Sequence, residues 1–179
     1  MNWDEMFIEM AMLVAKKSKD PSTKVGCVIV GDDNAVLSTG FNGFPRGVRE
    51  ELNFEERYPL ADPMFAKCFP KLDPERWDRP QKYSWIEHAE RNAIFNAARH
   101  GIKLAGARAY LNWEPHPCAD CSRALIQSGI VEIIGPDIPF GGAGNGTHYD
   151  TSLADEMCGE AGVKIRTIPW KLEDTDTTS

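Results

Sequence analysis

Two short segments constrain this chain more than anything else in it. Glu87-His88-Ala89-Glu90 is followed, thirty residues after the histidine, by Pro117-Cys118-Ala119-Asp120-Cys121. Histidine and cysteine suit a zinc ion, and a catalytic zinc keeps three protein ligands with a fourth position open to water. His88, Cys118 and Cys121 supply three. Two thiolates cancel the charge of the ion, and neutral imidazole adds none. Helical patterns begin at both motifs: Ala89, Ala93, Ile94, Ala97 and Ala98 after the histidine, and Ala119, Ala124 and Leu125 after the first cysteine. The ligands therefore fall in first turns, where the helix dipole is positive and thiol pKa values drop. Cys118 and Cys121, three apart, share a helix face. The fold has to bring the starts of two helices together around one ion.

Glu90 lies two residues from His88, so its carboxylate does not easily point the same way as the imidazole. It suits a proton shuttle to water in the open position better than a fourth ligand. A structural zinc site would show four Cys or His ligands. The nearest spare is His116, too close to Cys118 in an extended segment to close a tetrahedron easily. The spacing favours an open, catalytic centre.

The 179 residues suit one domain with an insertion or tail, and a hydrophobic share of 42% is enough for one core. A net charge of −7 argues against a surface that grips long nucleic acids. The five cysteines, Cys27, Cys68, Cys118, Cys121 and Cys158, form no disulfide framework. The first residues lack the order of a signal peptide, and no apolar run reaches membrane-spanning length. A cytoplasmic protein with no membrane partner is the expectation.

Along the chain, residues 2 to 19 read as an amphipathic helix capped by Asn2, with Trp3, Phe7, Met10, Ala11 and Val14 on one face. Lys24–Val30 and Ala35–Gly40 read as a hairpin around Gly31-Asp32-Asp33-Asn34. Residues 48 to 83, rich in charge, proline and aromatics, read as an insertion or cover. A helix from His88 stops at His100-Gly101. Ala107–Trp113, Ile130–Ile134 and Val163–Ile168 read as further strands, with helices from Cys118 and over 151–161 between them. Trp113 and Pro117 adjoin the cysteines and are candidates to shape a substrate pocket. Residues 136–149 form a glycine-rich loop without the phosphate-binding pattern. Residues 1–170 thus read as one α/β domain: a five-stranded sheet, mixed because the later β-α-β steps run parallel, with helices on both faces in three α-β-α layers. Residues 171–179 form a polar tail.

His-x-Glu followed by Pro-Cys-x-x-Cys is the signature of zinc-dependent nucleobase deaminases. Three further passages narrow it: the run from Ala15 to Gly26 around Lys19-Asp20-Pro21-Ser22, Gly40-Phe41-Asn42-Gly43-Phe44-Pro45, and Ala124-Leu125-Ile126-Gln127-Ser128-Gly129-Ile130. From Trp3 to about Ile168 the chain resembles the deoxycytidylate (dCMP) deaminase family of the cytidine deaminase superfamily. The resemblance implies a cytidine deaminase-like fold, a Zn²⁺ cofactor, and hydrolysis of dCMP to dUMP and ammonia, with Glu90 as the catalytic acid–base. It implies a homo-oligomer, a hexamer in many members, activated by dCTP and inhibited by dTTP. By the same match Gly40, Phe41, Asn42 and Gly43 would line the effector site, and Ala89 would offer the base a backbone contact. Unlike familiar members, the link Asn112-Trp113-Glu114-Pro115-His116 is about two residues longer. Three other readings stay open: a deaminase of a modified cytosine nucleotide or another small aminated base, a polynucleotide deaminase, and a non-catalytic zinc-stabilised nucleotide-binding domain. Lys24, Arg46 and Arg91 are candidates for a 5′-phosphate.

Overall fold

The computed structural model describes residues 1–48, 74–138 and 151–170. Asn2 opens helix α1 (Trp3–Ala15) with a reciprocal cap: its side chain accepts from the Glu5 amide at 2.9 Å, and the Glu5 carboxylate accepts from the Asn2 amide at 2.7 Å. The helix ends four residues before the expected Lys19. Beyond it the chain turns inward, and Ser18 and Asp20 are buried.

Strand β1 (Gly26–Val30) is buried at every position, as a strand covered on both faces must be. It pairs antiparallel with β2 (Val36–Phe41) on one side and with β3 (Arg108–Leu111) on the other. β4 (Glu132–Pro136) and β5 (Lys164–Ile168) follow parallel to β3, giving the mixed order β2-β1-β3-β4-β5. The two-residue period of the strands splits the core. Val28, Val30, Tyr110 and Ile134 pack with Phe7, Ile8 and Ala11 of α1. Cys27, Ile29, Ala109 and Ile133 pack on the other face with α3 (Ala89–Arg99), α4 (Ala119–Gln127) and α5 (Ser152–Glu160), through Ala93, Ala97, Leu125 and Cys158. This is the three-layer arrangement with five strands expected from the pattern.

The topology gathers one edge of the sheet. β3 and β4 end there, at Leu111 and Pro136, while antiparallel β1 begins there, and Gly26 faces Phe41 at the end of β2. Ligands in open α/β sheets sit outside such carboxyl edges. Two glycines permit the packing. A Cβ on Gly40 would lie 2.2 Å from the Ala89 carbonyl oxygen, so β2 meets the first turn of α3 only because that position is bare. A Cβ on Gly135 would lie 2.1 Å from the Trp113 carbonyl oxygen, which seats the long link against β4.

The described end of the expected cover is a 3₁₀ turn (Pro74–Trp77) and the short helix α2 (Lys82–Trp85). It is fastened to the Gly-Phe-Asn-Gly-Phe loop by Trp77 stacked on Phe44, centroids 4.4 Å apart, with Arg76 over the Trp85 ring. Most of residues 48–83, Cys68 among them, the stretch 139–150 and the tail 171–179 lie outside the described residues.

Candidate active site

His88 and Cys118 are the capping residues of α3 and α4, and Cys121 lies one turn into α4. His88 Nδ1 is 3.5 Å from the Cys118 sulfur and 3.4 Å from the Cys121 sulfur. Metal bonds of about 2.0 Å to nitrogen and about 2.3 Å to sulfur, at tetrahedral angles, place two such ligands about 3.5 Å apart. The donor atoms are thus spaced as one tetrahedral ion requires. Among the described residues these three form the group able to hold a metal, all atoms within 4.8 Å of one another. His116 is not a member: its Nδ1 bonds Asp155 Oδ1 at 2.9 Å instead. The set therefore stays at three ligands.

The electrostatics fit the same reading. The Cys118 thiol is pushed down to about 4, chiefly by its hydrogen bond with Cys121 and further by His88, against the effect of burial. His88 is pushed up to about 9, chiefly by its hydrogen bond to Cys118, with Glu90 and Glu87 adding to it. The Cys118 sulfur and burial push Cys121 well above the ordinary thiol value. Glu90, at the second position of α3 and nearly buried, has its carboxyl pushed up by burial, with the charge of His88 pulling the other way. A buried carboxyl whose pKa is raised is of the kind suited to taking and giving a proton.

A cavity of about 300 Å³ opens over this group. His88, Ala89, Glu90, Trp113, Pro117 and Cys118 all line it, so the metal, catalytic and substrate candidates converge apart from Cys121, which is buried behind. Trp113 is fixed in the wall by its indole N–H, which donates to the Lys24 carbonyl at 3.1 Å. Asn112 holds the same link: its side-chain oxygen accepts from the Gly26 amide at 2.8 Å, and its amino group donates to the Lys24 carbonyl.

The Gly40–Gly43 stretch divides. Gly40 packs under α3, Phe41 is exposed, and the Gly43 backbone pairs with Glu87 just ahead of His88. Of the four, only Asn42 lines the cavity. Its side chain accepts from the Val25 amide at 2.8 Å and donates to the Thr23 carbonyl at 2.9 Å and to Asp20 at 3.1 Å. Lys24, Arg46 and Arg91 do not line the cavity; Arg46 bonds Asn96 and Arg91 pairs with Glu87.

Glu114 and His116 of the link line the cavity too, and further lining residues were not singled out from the sequence: Asp20, Arg79, Lys82, Tyr83 and Thr151. Lys82 reaches Asp20 at 2.7 Å and Ser22 at 2.5 Å, both ends of the ion pair almost wholly buried. Only the Lys-Asp-Pro-Ser passage hinted at this, and it hinted through resemblance, not through any local pattern.

The model of the cytidine and deoxycytidylate deaminase zinc-binding region matches residues 1–135. The chain belongs to that family. A deoxycytidylate deaminase of Mus musculus is 35% identical over 134 residues, which cover 75% of this chain and 64% of that protein. The chain therefore spans less than two thirds of that relative's length. The deoxycytidylate deaminase of Enterobacteria phage T4 is 30% identical, with 92% of this chain and 89% of that one covered. In fold, the chain is similar to the dCMP deaminase of cyanophage S-TIM5, solved with dCMP and dUMP: TM-score 0.61, 20% identity, 92% and 95% of the two chains covered. Among the described residues no helix is long and apolar enough to cross a membrane.

Proposed function

We propose that this chain is a zinc-dependent nucleotide deaminase that hydrolyses dCMP to dUMP and ammonia. The observation that carries the reading is Glu90: a buried carboxyl with a raised pKa, in the wall of the cavity that also exposes His88 and Cys118. Relatives named deoxycytidylate deaminase support the choice of substrate.

His88, Cys118 and Cys121 would hold Zn²⁺, and the ion when bound would supply Lewis-acid activation of water. Glu90 takes a proton from the attacking water and passes it to N3 of the cytosine ring. A C4–O bond forms, Glu90 takes the second proton from the new C4 hydroxyl and delivers it to the amino group, and the C4–N bond breaks to release ammonia and leave a C4 carbonyl. Trp113 and Pro117 give the base flat, apolar walls, and the first-turn backbone at Ala89 lies where it can meet a polar edge of the base. Residues 1–170 act as one deaminase domain. Gly40–Gly43 is the stretch at which dCTP and dTTP would act, in a homo-oligomer of the cytoplasm.

The longer link, which brings Glu114 and His116 into the cavity wall, favours one second reading: a modified cytosine nucleotide as substrate. Ammonia release from dCMP, with cytidine, dCTP, 5-methyl-dCMP and guanine as comparators and with dCTP or dTTP added, tests both. Strong dCMP turnover is the expected result. Turnover of 5-methyl-dCMP alone moves the substrate, and none at all with zinc bound removes the enzymatic reading.

A further inference from the structure

The polar network in the cavity wall leaves one donor over. Asp20, Asn42 and Lys82 all line the cavity and are at most 4% exposed. Both Asp20 oxygens are taken: Oδ1 accepts from the Ser22 amide and hydroxyl and from the Thr23 amide, and Oδ2 accepts from Asn42 and Lys82. Asn42 donates both amino hydrogens, to Asp20 and to the Thr23 carbonyl, while its side-chain oxygen accepts from the Val25 amide. The Ser22 hydroxyl donates to Asp20 and accepts from Lys82. An ammonium has three donors. Those of Lys82 meet Asp20 Oδ2 at 2.7 Å and Ser22 Oγ at 2.5 Å, and among the described residues no acceptor meets the third. A buried charged donor without a partner is costly, so a ligand that enters this cavity and accepts from it gains stability.

Charge narrows what that ligand group is. Arg79, exposed and three residues ahead of Lys82, lines the same cavity. Its guanidinium has the Tyr83 ring 5.9 Å away and no hydrogen bond or ion pair among the described residues. Lys82 and Arg79 are the lysine and the arginine among the described residues of the wall. In a nucleoside monophosphate the base and sugar are neutral and the phosphate carries the charge. Bonds from charged donors to phosphate oxygens are stronger than neutral ones, and a guanidinium can make two at once. We propose that Lys82 and Arg79 form the subsite for the 5′-phosphate of the substrate. Lys82, locked by Asp20 and Ser22, gives a bond that is in place before the ligand arrives, and Arg79 adds contacts that form as it binds. This rests on the dCMP reading above.

The test compares kcat/KM for dCMP with that for deoxycytidine, which lacks only the phosphate. The wild-type protein should prefer dCMP by at least about 100-fold, the consequence of two charge-assisted contacts. Arg79→Gln should lower that ratio by about fivefold or more, chiefly through KM for dCMP. Lys82→Met combined with Asp20→Asn leaves no buried charge and should lower it by at least about tenfold. A purely structural effect slows both substrates together and leaves the ratio where it was. Should the double variant fail to fold, Lys82→Gln, which keeps an uncharged donor for Asp20, takes its place. Wild-type turnover of dCMP with a ratio near one, or a ratio unmoved in the Lys82 variant, overturns the subsite and leaves the dCMP reading standing. A ratio unmoved in Arg79→Gln alone overturns the part given to Arg79. No wild-type turnover of dCMP overturns both the subsite and the reading it rests on.

Discussion

Replacing Lys82 by methionine isolates what the buried ion pair contributes. Its ammonium is 2.7 Å from Asp20, with side chains 4% and 0% exposed, so both charges are out of water. Removing one partner of such a pair costs about 3–5 kcal/mol, because the remaining charge stays buried without its counter-ion. Asp20 keeps four other donors: the Ser22 amide and hydroxyl, the Thr23 amide and the Asn42 amide group. These hold the expected loss to the lower end, about 3 kcal/mol. With a urea slope of about 2 kcal/mol per molar, the midpoint should fall by about 1.5 M. Asp20→Asn with Lys82→Met leaves no buried charge and should recover at least half of that. The pH dependence has a definite sign. Burial pushes the Asp20 carboxyl up, but the bonds from Lys82, Ser22 and Thr23 outweigh it and leave it below the ordinary carboxylate value. Its stabilising effect is present above the unfolded pKa of about 3.9 and lost as pH falls towards the lower folded value. In Lys82→Met the largest lowering bond is gone, so the folded carboxyl titrates closer to the unfolded one and the acid-linked loss of stability shrinks. Urea melts of wild type and both variants in parallel between pH 3 and pH 7, differenced at each pH so that pH-linked metal release cancels, read both effects. A single variant that loses less than about 1 kcal/mol, the range of an exposed pair, would refute the reasoning.

Glu90→Gln should keep one zinc per chain and lose about 10²- to 10⁴-fold in turnover, measured by metal analysis beside ammonia release. Unchanged turnover would remove Glu90 from the proton path. Zinc affinity should rise with pH: near neutrality His88 and Cys121 hold protons that the ion must displace while Cys118 is already a thiolate, so about two protons are released per ion. Chelator competition from pH 6 to 8 should give a slope of about two in log affinity against pH, and a slope below one contradicts the imidazolium–thiolate pairing. Gly40→Ala forces a methyl to 2.2 Å from the Ala89 carbonyl oxygen, and should cost about 1–3 kcal/mol in a thermal melt and weaken zinc binding, since α3 carries His88.

The elements legible in the sequence were those whose cause is local. The Asn2–Glu5 cap, the unbroken apolar run of β1 and the glycine stop after α3 depend on neighbours within a few residues. So does the metal set, because Cys118 and Cys121 share one turn and His88 opens a recognisable helix. Even there the ends moved. The third strand, expected over Ala107–Trp113, is Arg108–Leu111, because Asn112 and Trp113 spend their polar groups on β1 rather than on the ladder. The fourth, expected over Ile130–Ile134, is Glu132–Pro136, carried on by pairing with β5 that no local pattern announces. Lys24, Arg46 and Arg91 do not line the cavity, whereas Lys82 does; as isolated charges in the sequence nothing separates them, and only the tertiary fold decides which cation is turned inward.

The network around Asn42 explains why the Gly-Phe-Asn-Gly stretch belongs to this site. Gly40 admits the start of α3, the Asn92 side chain donates to the Phe41 carbonyl, and the Gly43 backbone pairs with Glu87. Three successive contacts therefore fix the segment that aims His88 and Glu90. Asn42 carries the same constraint across the cavity, through Asp20 to Lys82 on the segment that runs back to His88. The loop closes on itself: the end of β2 positions His88 and Glu90, and the residues just ahead of His88 anchor the end of β2. A change at Asn42 should thus act on the metal centre through geometry even though its amide does not reach the three ligands. Asn42→Ala would leave the Val25 amide without its side-chain acceptor and Asp20 with one donor fewer. The expected consequence is for the placement of Glu90, and so for turnover, before zinc retention, because Cys118 and Cys121 are held separately, by α4.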